Sequence, residues 1–231
     1  LAGSKCQRLD NRNKVVLQVG VGHGMLQLVR IAHLDRSLGA DMRNHTGRLI
    51  LAPRDSRRAP DRWPLVHALD QAGFLGRALT PDGDVYAAGE AFLHLLAFTG
   101  CAVQVEVRPS TEPDHPFCHI RIAGPFAAPA ILIGRNTRPP RCPACRAALR
   151  AWRDTLRDWT AAAAHAQPLP CPACATVSPA CAWDWKETGG CARLLLSVEE
   201  VFPGEAAPTD ALMQVLEGVA QMPWRHFYIQ D

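Results

Sequence analysis

Lysine is almost missing from this chain. Lys5, Lys14 and Lys186 are the only three, so nearly all the positive charge is arginine. The net charge is only +3, too mild a balance to mark a nucleic-acid binder by composition. No apolar run is long enough to cross a bilayer. The best stretch, VVLQVGVGHGMLQLVRI at 15–31, is broken by Gln18, His23, Gln27 and three glycines. No small-residue cleavage site follows it closely, which argues against an export signal. Also absent are a lipase-type serine elbow, a phosphate loop and an HExxH pair, so those routes to hydrolase or nucleotide chemistry have no motif here.

What is present is the composition of a folded protein, with 48% hydrophobic and 20% charged residues in 231. That length suits one large domain or two small ones. The nine cysteines are an odd number, which argues against a fully paired disulfide framework. With no export signal they point to a reducing, cytoplasmic setting and to metal or redox chemistry.

The chemical signal is a repeated tetrapeptide. CPAC at 142–145 returns as CPAC at 171–174. A CxxC turn brings two thiolates to one ion, and two such turns supply the four sulfurs of a tetrahedral zinc site. The expected ligands of a Zn2+ ion are Cys142, Cys145, Cys171 and Cys174. Over about residues 141–175 the chain resembles zinc-ribbon and double-knuckle proteins. That resemblance implies a closed, structural metal site and leaves function open. A dithiol site is the competitor, because CPxC at a helix start lowers a thiol pKa in thioredoxin-like proteins. The second CPAC has no use in a dithiol site and is required by zinc. An iron or iron–sulfur centre uses the same ligands. Cys181, Cys191, Cys101 and Cys118 read as small core residues, with Cys181 or Cys191 as alternative ligands or a second thiol pair.

Between the two pairs lie 25 residues with helical periodicity. Leu149, Trp152, Leu156 and Trp159 make one apolar stripe on a helix starting near Arg146. Arg146, Arg150, Arg153 and Arg157 make a second stripe, and Arg135, Arg138 and Arg141 add charge upstream. The plain reading is a wet helix flank partly balanced by pairs such as Arg150–Asp154. The functional reading is a zinc-anchored face that meets phosphates or an acidic partner, with Arg138, Arg141, Arg146, Arg150, Arg153 and Arg157 as contacts. A basic loop from Arg43 to Arg62 would strengthen a nucleic-acid reading if it converged on the same place.

The remaining pattern predicts an α+β fold: an antiparallel sheet with flanking helices and an inserted zinc-ribbon-like module built on four cysteines. RLILAP, FCHIRIAGP, PAILIG and WRHFYIQ read as strands, and so does CAVQVEVRP, whose valines alternate. PLVHALDQAGFLGRAL, GEAFLHLLAFTG and PTDALMQVLEGVAQ read as helices. CAWDW and CARLLLSVEEV read as a hairpin joined by KETGG. The expected division is an N-terminal segment 1–41, an α+β domain 42–138, and a zinc-knuckle module 139–231 with hairpin, helix and final strand. Residues 1–41 are either part of the working protein or dispensable, with Met42 as an alternative start. Their VVLQVGVGHGML resembles the first motif of nucleotide-binding α/β folds, but the dinucleotide spacing fails at Met25. His115 and His119, near Glu112 and Asp114, are the candidates for acid–base chemistry; one wetted side of a sheet is the plainer reading.

The expected function is a non-catalytic, zinc-binding accessory or adaptor protein that binds a macromolecular partner, most simply another protein. The alternatives are a nucleic-acid-binding regulator using the arginine-rich segment 146–157, and a CPxC dithiol oxidoreductase.

Overall fold

A computed structural model describes residues 47–99, 105–108, 116–157 and 168–230. The first half supplies β1 (Arg48–Pro53), α1 (Arg62–Gln71), β2 (Leu75–Ala78), β3 (Val85–Ala88), α2 (Phe92–Leu95), β4 (Leu96–Phe98), β5 (His119–Ala123) and β6 (Ala130–Ile133). The second half supplies α3 (Trp152–Arg157), β7 (Pro168–Pro170), β8 (Val177–Pro179), β9 (Gly189–Ala192), β10 (Leu195–Glu199), β11 (Ala206–Pro208), α4 (Asp210–Ala220) and β12 (Trp224–Ile229).

Six strands form the main sheet in the order β12-β1-β10-β5-β3-β2, with every pairing antiparallel. This is the α+β architecture that the strand and helix patterns predict. β1 is buried along most of its length because alternate residues serve two cores. Leu49 and Leu51 face Leu65 and Leu69 of α1 and Leu212 and Leu216 of α4. Ile50 and Ala52 face the other way, against Leu132 of β6 and Ala192 of β9. A third core gathers Cys142, Leu149, Trp152, Cys171, Trp183 and Trp185.

Several elements depart from the sequence pattern. The helix expected over PLVHALDQAGFLGRAL stops at Gln71, because Gly73 takes φ +69° and turns the chain into β2. GEAFLHLLAFTG makes a single helical turn, α2, and then β4. The alternation of CAVQVEVRP yields no strand over 105–107, and 101–104 lie outside the described residues. One backbone bond there, Cys118 N to Glu106 O at 2.6 Å, ties that segment to the start of β5. CAWDW and CARLLLSVEEV do not pair as a hairpin. Residues 180–182 and 186–188 are single 3-10 turns, β9 pairs with β6, and β10 lies between β1 and β5. The burial of Leu195, Leu196 and Val198 in central positions outweighs the local turn signal of KETGG. The main sheet draws strands from both sides of residue 138, so the expected break there falls at no edge of that sheet. Residues 1–41, with their glycine-rich string, lie outside the described residues.

α4 is the best-specified helix. The Thr209 hydroxyl accepts from the Leu212 amide at its N-terminus, and Leu212, Leu216 and Ala220 form the buried stripe. After the left-handed turn at Gln221, β12 follows as an edge strand.

Candidate metal centre and the cleft beside it

The two CPAC segments fold alike, residue for residue. In the first, Cys142 N donates to Ala147 O at 2.9 Å and Arg146 N donates to Cys142 O at 3.0 Å. In the second, Cys171 N donates to Thr176 O at 2.9 Å and Ala175 N donates to Cys171 O at 2.9 Å. The residue after each second cysteine is left-handed, Arg146 at φ +65° and Ala175 at φ +59°. A repeated sequence thus gives a repeated tight turn that aims two sulfurs the same way. The antiparallel β7–β8 pair carries the second turn at its tip. Backbone bonds to Asp184 hold the first, with Arg141 N to Asp184 O at 2.9 Å and Asp184 N to Arg141 O at 3.0 Å.

The four sulfurs of Cys142, Cys145, Cys171 and Cys174 lie within 4.8 Å of one another. Cys142 and Cys174 sulfurs are 3.8 Å apart, and Cys145 and Cys171 sulfurs 3.6 Å apart. Cys142 and Cys171 are buried against the tryptophans, while Cys145 and Cys174 face outward. The arrangement could hold one metal ion with four thiolates and leaves no protein ligand over. The local field already favours partial ionisation. The Cys145 backbone amide, and then that of Ala144, pull the Cys142 thiol below its ordinary value. The Thr176 hydroxyl and amide bring Cys174 down to about 6. The Ala147 amide acts to lower Cys145, but the Cys174 sulfur, burial and the other two sulfurs outweigh it and push the thiol up to about 12. Four thiolates at this spacing repel one another, and a cation at the centre removes that repulsion.

The expected long helix between the pairs is not formed at its start. Residues 143–145 are a turn, Arg141 bridges to Ala148, and Leu149 N bonds Pro140 O at 2.9 Å. Among the described residues after the turn the helix begins at Trp152, so the first CPAC does not open a helix as a thioredoxin-like site requires. The apolar stripe still packs as a group: Leu149 and Trp152 are buried beside the metal cluster, with Leu156 against them, and Trp152 meets the Trp185 ring edge-on at 5.5 Å. Trp159 lies outside the described residues.

α3 starts too late to carry the whole arginine stripe, since Arg146 is left-handed in the turn and Arg150 precedes the helix. Arg153 stacks over Trp152 at 4.3 Å and gives its Nη2 to the carbonyls of Gly134, Arg135 and Thr137 at 3.2–3.3 Å. Arg146 pairs with Asp184 at 2.7 Å. Arg157 lies on α3. Arg138, Arg141 and Arg150 instead line a cleft of about 1300 Å³ between the metal module, β12 and α4. Arg54, from the early basic loop, and Lys186 and Arg225 line it too. Asp184, Glu187 and Asp210 are its three acids against these six arginines and lysines, so the cleft is net positive. Arg43 of that loop lies outside the described residues, and other arginines of the loop do not line the cleft. Arg62, for instance, binds the carbonyls of Ile122, Gly124 and Gly83 and pairs with Asp84.

Sequence reading missed Lys186, Arg225 and His226 as cleft residues, because only the tertiary fold brings β12 to the module; Arg54 comes from the basic loop whose convergence on the other arginines the sequence reading left open. His119 makes a local contact, Nδ1 to Phe117 O at 2.9 Å, and His115 with its neighbouring acids lies outside the described residues. Cys191 is buried in β9, and Cys181 is half-buried beside it, away from the four-sulfur cluster. Among the described residues no helix is long and apolar enough to cross a membrane. Comparison with protein-family models, with curated proteins and with solved structures gives no match.

Proposed function

We propose that this is a non-catalytic, zinc-stabilised binding protein of the cytoplasm, whose basic cleft receives an acidic segment of a protein partner. The four-sulfur cluster carries the reading. Zn–S bonds of about 2.3 Å at tetrahedral angles put sulfurs about 3.8 Å apart, and two sulfur pairs lie at 3.8 and 3.6 Å. Four thiolates close the coordination sphere, so no position is left for substrate or activated water, and the role of the ion is structural. It fastens two turns around a small core that three tryptophans fill. The turn geometry of the first CPAC, which opens no helix, speaks against the dithiol reading.

The cleft supports the binding half. Arg54, Arg138, Arg141, Arg150 and Arg225 make no ion pair among the described residues, while Asp184 is already neutralised by Arg146 and by Lys186 at 3.1 Å. Nucleic acid draws on the same cations, and the convergence of Arg54 with Arg138 and Arg141 favours it. The loss of the helical stripe and the acids within the cleft favour a protein. Fluorescence anisotropy with a labelled Val–Glu repeat peptide and with duplex DNA separates them. The peptide is expected to bind, and Arg138→Glu with Arg141→Glu to weaken it by on the order of tenfold. DNA binding that falls steeply with salt, with no peptide binding, would replace this reading by the nucleic-acid one.

A further inference from the structure

Among the described residues β12 is an edge strand, and one side of its backbone has no neighbour strand. Which groups face outward follows from the register. β12 pairs β1 with Ala52 opposite Arg225 and Ile50 opposite Phe227, and Arg54 N bonds Pro223 O at 2.9 Å. Antiparallel pairs alternate between bonded and non-bonded, so Pro223, Arg225, Phe227 and Ile229 turn their backbone toward β1. Trp224, His226, Tyr228 and Gln230 turn theirs outward.

The two ends of that outward edge are closed. The Glu217 carboxylate accepts from Trp224 N at 3.0 Å. At the other end Asn136 Nδ2 donates to Tyr228 O at 2.9 Å, Gln230 N donates to Asn136 Oδ1 at 2.9 Å, and Arg135 N donates to Gln230 O at 2.8 Å. The middle is open. Trp224 C=O, His226 N–H, His226 C=O and Tyr228 N–H meet no partner among the described residues, and Trp224, His226 and Tyr228 line the cleft. Exposed edges of this kind are usually blocked in native proteins, and one left open inside a cleft suits strand addition.

The cleft walls differ in chemistry. On the α4 side stand Pro203, Pro208 and Met213, and on the metal-module side Arg138, Arg141 and Lys186. A strand presents its side chains alternately to two faces, so apolar residues would meet the first wall and acidic ones the second. Among the described residues Trp224 Nε1 and Arg225 Nε are buried donors without an acceptor.

We propose that the open edge of β12 at His226 is a docking site for an extended partner segment of alternating apolar and acidic residues, which joins the sheet as a seventh strand. The proposal rests on the acidic-partner reading above and adds the binding mode. A second copy of the chain is a poor occupant. Two-fold pairing at His226 would set Arg54, Arg138, Arg141 and Arg225 of both copies against each other.

The test uses the full-length, metal-loaded protein and the labelled Val–Glu repeat peptide. A second peptide carries N-methyl groups on alternate amides, which keeps its charge and shape but removes the donors that pair with β12. The expected result is weaker binding of the methylated peptide by about tenfold or more, since two backbone bonds are lost. The plain peptide should also slow amide exchange at His226 and Tyr228 by about tenfold, with Phe227 unchanged. Equal binding of both peptides would overturn strand addition while leaving the acidic-partner reading intact. Binding of neither would overturn both. A concentration-dependent dimer that protects the same amides without peptide would also overturn the proposal, in favour of a second copy.

Discussion

At the scale of single residues, the metal centre depends on two left-handed positions that carry side chains. Ala175 sits at φ +59°, a conformation that costs a non-glycine residue about 1 kcal/mol or more. Ala175→Gly is expected to stabilise the metal-loaded protein by about 0.5 kcal/mol, the strain relieved less the extra freedom of glycine when unfolded. Urea denaturation would read it, and a clear loss of stability would contradict the turn geometry. The same scale gives an order of thiol reactivity in the metal-free chain. Cys118 lies in the core of the sheet, where burial pushes its thiol up to about 12 and keeps it protonated. Mass mapping after brief alkylation at pH 7 should find the four cysteines of the two CPAC turns labelled before Cys118. The four-sulfur cluster was legible in the sequence, because CxxC spacing encodes the turn directly. The left-handed residue was not, since Arg146 and Ala175 lack the glycine that usually marks it.

At the scale of elements, the segment after the first CPAC shows why periodicity misled. Leu149, Trp152 and Leu156 do share one buried side, but the chain reaches Leu149 by pairing Ala148 with Arg141 and turns helical only at Trp152. Side-chain spacing reports which residues are buried together, and the hydrogen bonds of the knuckle decide the backbone. The arginines separate accordingly. Arg153→Ala removes a stacked guanidinium and its bonds to the carbonyls of Gly134, Arg135 and Thr137, and should cost about 1–2 kcal/mol, with lysine a poor substitute. Arg150→Ala should fall within about 0.5 kcal/mol of the parent, because Arg150 is an exposed cleft residue. Equal effects in thermal melts would return both arginines to one solvated stripe. α4 and β12 were legible for the opposite reason, since Thr209, the buried stripe and the turn at Gln221 all agree.

At the scale of the whole molecule, two kinds of core sit side by side. The sheet buries Leu49, Leu51, Ile120 and Leu196 under α1 and α4, independent of any metal. The module's core is the sulfur cluster and its tryptophans. Chelation is therefore expected to release the amides of Arg146 and Ala175, which bond Cys142 and Cys171 carbonyls, while Leu49 and Leu196 keep slow exchange. Loss of protection everywhere at once would mean one core and not two. The segments of β1, β5, β6, β10 and β12 were readable as strands, whereas β2 and β4 lay hidden in apparent helices and the strand order was not readable. β10 enters between β1 and β5 from far along the chain, and the cleft exists only after β12 closes the sheet.

The central claim is that four cysteines hold one zinc ion. Elemental analysis of the purified protein, with thiols counted before and after chelation, tests it most directly. The account predicts one zinc per chain and four further thiols appearing on chelation, mapping to Cys142, Cys145, Cys171 and Cys174. Protein free of metal, with those four thiols reactive from the start, would contradict it.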